Sequence, residues 1–179
     1  MPAFASFPQE GALIGSLVVG YGELEIDLAL LVRWVIDDED YAFRTLYGQR
    51  GESARITAAQ TLTFTALRSH KHKNSFLEII DALKFCLKIR NQYANSNWVN
   101  APTGLHFTNV ENVCQQPGKA KIGDLSLTAV HLNKLQRQER YFVYTQQLIE
   151  WLVFEFQLEH RAISTLPSQA PAKVSRPNL

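Results

Sequence analysis

Residues 8–36 have the sequence PQEGALIGSLVVGYGELEIDLALLVRWVI, which is typical of one long helix packed lengthwise against other helices. Its apolar residues recur at alternating spacings of four and three: Leu17, Tyr21, Leu24, Leu28, Leu31 and Val35. This period of 3.5 residues places them on one face of a helix. We predict that Ser6 caps the helix with Gln9 as its capping-box partner, and that Pro8 lies in the first turn.

Four further helices are predicted at about residues 40–47, 54–69, 75–98 and 129–163, the third of them capped by Ser75 with Glu78 and the last capped by Thr128. Between the last two, apolar and polar residues alternate at 105–108, and Pro117-Gly118 is a turn signal. This pattern predicts a two-stranded hairpin, with residues 122–127 as the return strand. The expected fold class is all-α: an up-and-down bundle of four to five helices with a small two-stranded β-hairpin insert (about 104–127) before the last long helix.

The chain has 179 residues, of which 46% are apolar and 20% charged, so we expect a single helical domain over residues 1–163. Residues 164–179 are rich in Pro, Ser and Ala and are predicted to form a flexible tail. The longest apolar stretch is interrupted by Glu23, Glu25 and Asp27, which argues against a membrane span and a membrane partner. Without a signal-peptide pattern, we expect a cytoplasmic protein with reduced thiols.

Positive charge is concentrated in residues 67–101, where six basic residues against two acidic ones give a local charge of +4, although the whole chain carries only +1. A local basic patch can attract phosphate groups. A solvated helix face explains the same charges equally well.

The end of the helix predicted at 75–98 carries the residues most suggestive of chemistry. Its apolar stripe consists of Phe76, Ile80, Leu83 and Leu87, and the same spacing continues to Arg90 and Ala94. A partly buried guanidinium requires an anion, either a carboxylate or a phosphate. Asn91 and Asn95 add amide groups beside it. The residues alone favour a structural ion pair with Glu23, Glu25 or Asp27 of the first helix.

The segment Arg90-Asn91, then Tyr93-Ala94, a polar residue at 95 and Trp98 resembles the signature helix of the HEPN superfamily. Members of that superfamily are helical domains, usually dimeric, in which an Arg is followed four to six residues later by a His. Active members are metal-independent ribonucleases, often toxins or defence effectors. The resemblance implies that Arg90 positions the scissile phosphate, that Asn91 supports the site and that the motif His falls at position 95.

Position 95 is Asn, however, and an amide cannot shuttle a proton near neutral pH. We therefore expect weak or absent activity as a metal-independent endoribonuclease, with no cofactor and no metal. The expected partners are a second copy of the chain, RNA and a cognate protein of the kind found in toxin–antitoxin pairs. An alternative is a non-catalytic, dimeric helical protein-interaction module, which the near-zero charge and the aromatic last helix also favour.

Two histidines and a cysteine are the remaining residues with reactive or metal-binding side chains near this helix. His70 and His72 precede the helix predicted at 75–98 and, lacking nearby carboxylates in sequence, are predicted to be exposed loop residues. Cys86 falls among apolar residues and is predicted to be a small core residue. No phosphate-binding loop, dinucleotide fingerprint or zinc-protease motif is present.

Overall fold

The computed structural model describes residues 2–110, 125–161 and 168–179. The chain is mostly helical, with a small three-stranded antiparallel sheet before the last helix. The described helices are α1 (Pro2–Ser6), α2 (Pro8–Ile36), α3 (Glu39–Tyr47), α4 (Glu52–Leu67), α5 (Lys73–Ala94) and α6 (Leu132–His160). The strands are β1 (Asn97–Ala101), β2 (Gly104–Thr108) and β3 (Thr128–Ala129).

Helix α2 is the centre of the core and packs against α3, α4, α5 and α6. Its predicted seam is confirmed, since five of the six residues are buried and Val35 is partly buried against them. Burying one such Leu side chain contributes about 1.5–3 kcal/mol. The apolar stripe of α5 completes the core, which includes the fully buried Cys86 as predicted.

The predicted end of α2 is confirmed, but several predicted caps were wrong. Asp37 ends the helix in the left-handed conformation (φ 56°), and the Asp38 carboxylate accepts the Tyr41 N–H at 2.9 Å to cap α3. Ser6 lies in α1, and α2 begins after Phe7 without a side-chain cap. Ser75 lies inside α5, which begins two residues earlier, after His72.

The sheet differs from the predicted two-stranded hairpin. Strand β2 pairs with β1 on one side and with β3 on the other, both antiparallel. Trp98 therefore lies in β1 instead of in the helix, and Thr128 lies in β3 instead of capping the last helix. The hairpin turn follows Ala101, where Gly104 adopts φ 127°. The turn predicted at Pro117-Gly118 lies outside the described residues.

Residues 168–179 form neither helix nor strand and contact α5 and α6. Val174 packs against the core cluster. The flexibility predicted for 164–179 stays a prediction, and so does the single-domain boundary at 163.

Candidate functional site

Arg90 and Asn91 lie in the last turns of α5 and contact each other. The Arg90 Nη1 donates to Asn91 Oδ1 at 2.9 Å, and Arg90 Nη2 lies 3.3 Å from Glu52 Oε1 in the first turn of α4. The predicted counterion on the first long helix was wrong, because the α4 carboxylate fills that role. The Arg90 side chain is 29% exposed and that of Glu52 is 30% exposed, so the ion pair is partly accessible to solvent.

A second ion pair lies beside the first, between α2 and α4. Arg55 Nη1 lies 2.7 Å from Glu25 Oε2. Burial raises the pKa of Glu25, and the Arg55 guanidinium opposes that rise. Burial also raises the pKa of the Tyr21 hydroxyl. We call Tyr21, Glu25, Glu52, Arg55, Arg90 and Asn91 the Arg90 cluster; its two arginines and two glutamates balance in charge.

The Arg90 cluster has spare hydrogen-bonding capacity. Tyr21 Oη, Arg55 Nε and Arg90 Nε are buried atoms without a hydrogen-bond partner among the described residues. Buried donors of this kind lower the stability of the fold unless another group accepts a hydrogen bond from them. They mark a polar site inside a largely apolar helix interface.

Asn95 is not joined to this cluster. It is the C-cap residue of α5, where its backbone N–H donates to the Asn91 carbonyl oxygen at 3.3 Å, and the residue is exposed. The structure thus brings together two of the three predicted site residues. The third, Asn95, lies at the C-terminal end of α5, where it is the C-cap residue.

A second polar cluster, at the opposite end of α5, was missed. His70 Nε2 lies 3.2 Å from Glu159, and His72 Nε2 lies 3.5 Å from Glu155 and 3.6 Å from Glu159. Lys71 also pairs with Glu159, at 2.7 Å. These five side chains form what we call the histidine end. His72 is only 8% exposed and His70 is half-buried, so the predicted exposure of both histidines was wrong, although both lie in the loop between α4 and α5 as predicted.

One hydrogen bond within the histidine end indicates the tautomer of His70. His70 Nδ1 accepts the backbone N–H of His72 at 3.2 Å, which places the proton of neutral His70 on Nε2, facing Glu159. That tautomer has no lone pair on Nε2 for a metal ion. Among the described residues, no group of three or more His, Cys, Asp or Glu side chains is arranged to hold one. An open cavity of about 270 Å³ adjoins the cluster, lined by His70, Glu159, His160 and apolar residues.

The buried His72 makes stability depend on pH. Burial and the neighbouring Lys71 lower its pKa below the ordinary 6.5, against the attraction of Glu159 and Glu155. The unfolded chain then binds the proton more readily, so the free energy of unfolding should fall as the pH drops below about 6.5. We expect His72→Gln to flatten this slope between pH 7 and 5, measured by urea unfolding. His131→Gln, an exposed control, should keep it; an unchanged slope in His72→Gln would contradict the assignment.

The histidine end cannot supply the base that the Arg90 cluster lacks. His72 and Arg90 are 18 positions apart near the two ends of α5, which corresponds to about 27 Å at 1.5 Å per residue. The sequence held one indication of the histidine end: Glu155 and Glu159 are four residues apart, which puts both carboxylates on one face of α6.

The comparisons with known proteins add no relationship, since no family model, curated protein or solved structure matches the chain. Among the described residues, no helix combines the length and the apolar character needed to cross a membrane.

Proposed function

We propose that the protein is a HEPN-like, homodimeric up-and-down helical bundle whose Arg90 cluster binds an RNA phosphate and whose ribonuclease activity is weak or absent. The observation that carries the proposal is the contact between Arg90 and Asn91 near the C-terminal end of α5, with the guanidinium partly exposed to solvent. A partly exposed guanidinium with an adjacent amide suits phosphate recognition.

Glu52 would limit the affinity for RNA. Its carboxylate already pairs with Arg90, so a phosphate has to take its place and meets a like charge nearby. The side chains of Arg90 and Glu52 are each about 30% exposed. Exposed ion pairs contribute about 0–1 kcal/mol, so a phosphate can replace Glu52 as the partner of Arg90. Weak, salt-dependent binding follows.

We expect Glu52→Gln to strengthen binding of a fluorescent single-stranded RNA about three- to tenfold, and Arg90→Ala to weaken it by a similar factor. Fluorescence anisotropy at several salt concentrations measures both. Arg44→Ala is the matched control, because Arg44 is an exposed arginine of α3 that pairs with Asp40 of the same helix, outside the Arg90 cluster. Binding that ignores both Glu52→Gln and Arg90→Ala would overturn the role of this cluster.

We expect RNA cleavage to be weak or absent, because general acid–base assistance is worth roughly 10²–10⁴-fold in rate and Asn95 cannot supply it. Wild-type protein should therefore leave RNA essentially uncut over hours. Asn95→His tests whether a histidine at the end of α5 restores cleavage. Strong cleavage by the wild type that is lost in Arg90→Ala would overturn the proposal of impaired catalysis.

A non-catalytic interaction module is the second candidate, and the apolar surface shared by α2 and α6 favours it. An open cavity of about 290 Å³ lies there, lined in part by Leu30, Val153 and the exposed Phe154. Exposed apolar patches of this kind often mark protein interfaces. The two candidates separate in the RNA titration, since this one predicts no effect of Arg90→Ala or of salt.

A further inference from the structure

The solvent exposure of residues 168–179 varies with a period of three residues. Ser168, Pro171, Val174 and Pro177 are half-buried, and the two residues after each of them are exposed. A period of three without helix or strand is typical of the polyproline II conformation, and the prolines at positions 171 and 177 favour it. The segment therefore presents one regular edge to the protein and two to solvent.

The surface under this edge is a groove between α5 and α6 that combines aromatic and acidic side chains. Arg176 lies at its centre: the guanidinium sits 5.3 Å from the centre of the Phe85 ring, and Nε lies 3.3 Å from Tyr141 Oη. Another nitrogen of Arg176 pairs with Asp81. Aromatic rings beside a carboxylate are well suited to hold an arginine that follows an extended backbone.

Lys173 makes the second charged contact, with Glu78, which lies about one helical turn before Asp81 in α5. Its Nζ lies 2.9 Å from Glu78 Oε1, and the Tyr144 hydroxyl donates to the same oxygen at 3.1 Å. The hydrogen bond from Lys173 is the main cause that lowers the pKa of Glu78. The two cations of the segment thus pair with two anions that lie three residues apart on α5.

The third contact involves the backbone of the segment. The Asn178 carbonyl oxygen accepts from Gln138 Nε2 at 3.0 Å, and Gln138 is fully buried. The other end of this amide accepts the Tyr93 hydroxyl at 2.7 Å. A buried amide held in one orientation and facing an extended backbone is a feature of grooves that recognise peptides through main-chain groups.

We propose that this groove is a docking site for an extended basic peptide of a partner protein, and that residues 168–179 occupy it in cis as a competing ligand. The peptide has the polyproline II form, with apolar anchors every third residue and Lys and Arg three residues apart. Exchange is feasible because the ionic contacts are largely exposed to solvent, where such pairs contribute little to stability. This proposal is independent of RNA binding at Arg90.

The test uses the full chain carrying Lys173→Glu and Arg176→Glu, which should release the segment from Glu78 and Asp81. A fluorescein-labelled peptide with the sequence SQAPAKVSRPNL is titrated with this variant and with the wild type, and anisotropy is measured. A tethered ligand acts at an effective concentration of order millimolar, so we expect the variant to bind the peptide about tenfold tighter than the wild type or more.

Two matched controls follow the charges. A peptide with Glu in place of the residues equivalent to Lys173 and Arg176 should not bind, and adding Asp81→Lys to the variant should abolish binding of the native peptide. The milder Arg176→Ala chain replaces the double variant if thermal melting shows that the latter is unfolded. No binding by the released chain, equal binding by the wild type, or binding that ignores Asp81→Lys would each overturn the proposal.

Discussion

Arg55→Ala is expected to destabilise the protein by about 2–3 kcal/mol, since it leaves the carboxylate of Glu25 between α2 and α4 without its counterion. The side chains of Arg55 and Glu25 are 25% and 11% exposed, and their charged atoms lie 2.7 Å apart. Breaking a fully buried pair costs about 3–5 kcal/mol, and the partial exposure of Arg55 reduces that value. Urea unfolding at pH 7 measures the change.

Two comparisons identify the cause of this loss. Arg44→Ala removes an exposed arginine from its pair with Asp40 and should cost less than about 0.5 kcal/mol. Without Arg55, the already raised pKa of Glu25 should rise further. Such a group binds a proton more readily in the folded state, so the destabilisation should shrink as the pH falls through the folded pKa. A loss no larger than that of Arg44→Ala, or one that does not change with pH, would contradict this account.

The Cys86 thiol is expected to react with disulfide reagents at least about a thousandfold more slowly in the folded protein than in urea. Burial raises its pKa to about 12 from an ordinary value of 9.0. At pH 8 three pKa units lower the thiolate fraction about a thousandfold, and the thiolate is the reactive form. The side chain is fully buried between α5 and α6, with Sγ 3.5 Å from Thr145 Oγ1, which also excludes the reagent.

The measurement uses a Cys114→Ser chain, so that Cys86 is the remaining thiol, and follows thionitrobenzoate release at pH 8. An exposed lysine on the same helix provides the positive control: Lys84→Cys should react at the rate of a free thiol, since position 84 is exposed. Rapid labelling of Cys86 without denaturant would show that α5 and α6 separate locally, contrary to the packing of the core.

The long helices could be predicted from the sequence because their pattern is local and repeated. The seam from Leu17 to Val35 requires only that one face of α2 be buried, and the bounds 8–36 follow from Pro8 and from the acidic residues after Ile36. The burial of Cys86 follows from the same reasoning. Each inference depends on neighbours within one or two turns of the same helix.

The caps and the sheet were predicted less well, because several residues fit each role. Ser6 has the right chemistry for an N-cap but lies in the short α1, where its hydroxyl accepts from Asn100 of β1 at 3.0 Å. Trp98 continues the helical spacing of α5, yet the chain leaves the helix after Ala94 and pairs with β2. Strand pairing joins distant residues, and a single strand of five residues carries little periodic information.

The sequence by itself determined the helical class, the buried faces of α2 and α5 and the candidate pair Arg90 and Asn91. Tertiary structure alone decided that Glu52 is the counterion of Arg90, that Glu155 and Glu159 meet His70 and His72, and that residues 168–179 lie in an acidic, aromatic groove. The physical reason is the range of the interactions. Apolar periodicity is set within one helix, whereas the partner of a charge depends on which turns of different helices are brought within about 4 Å.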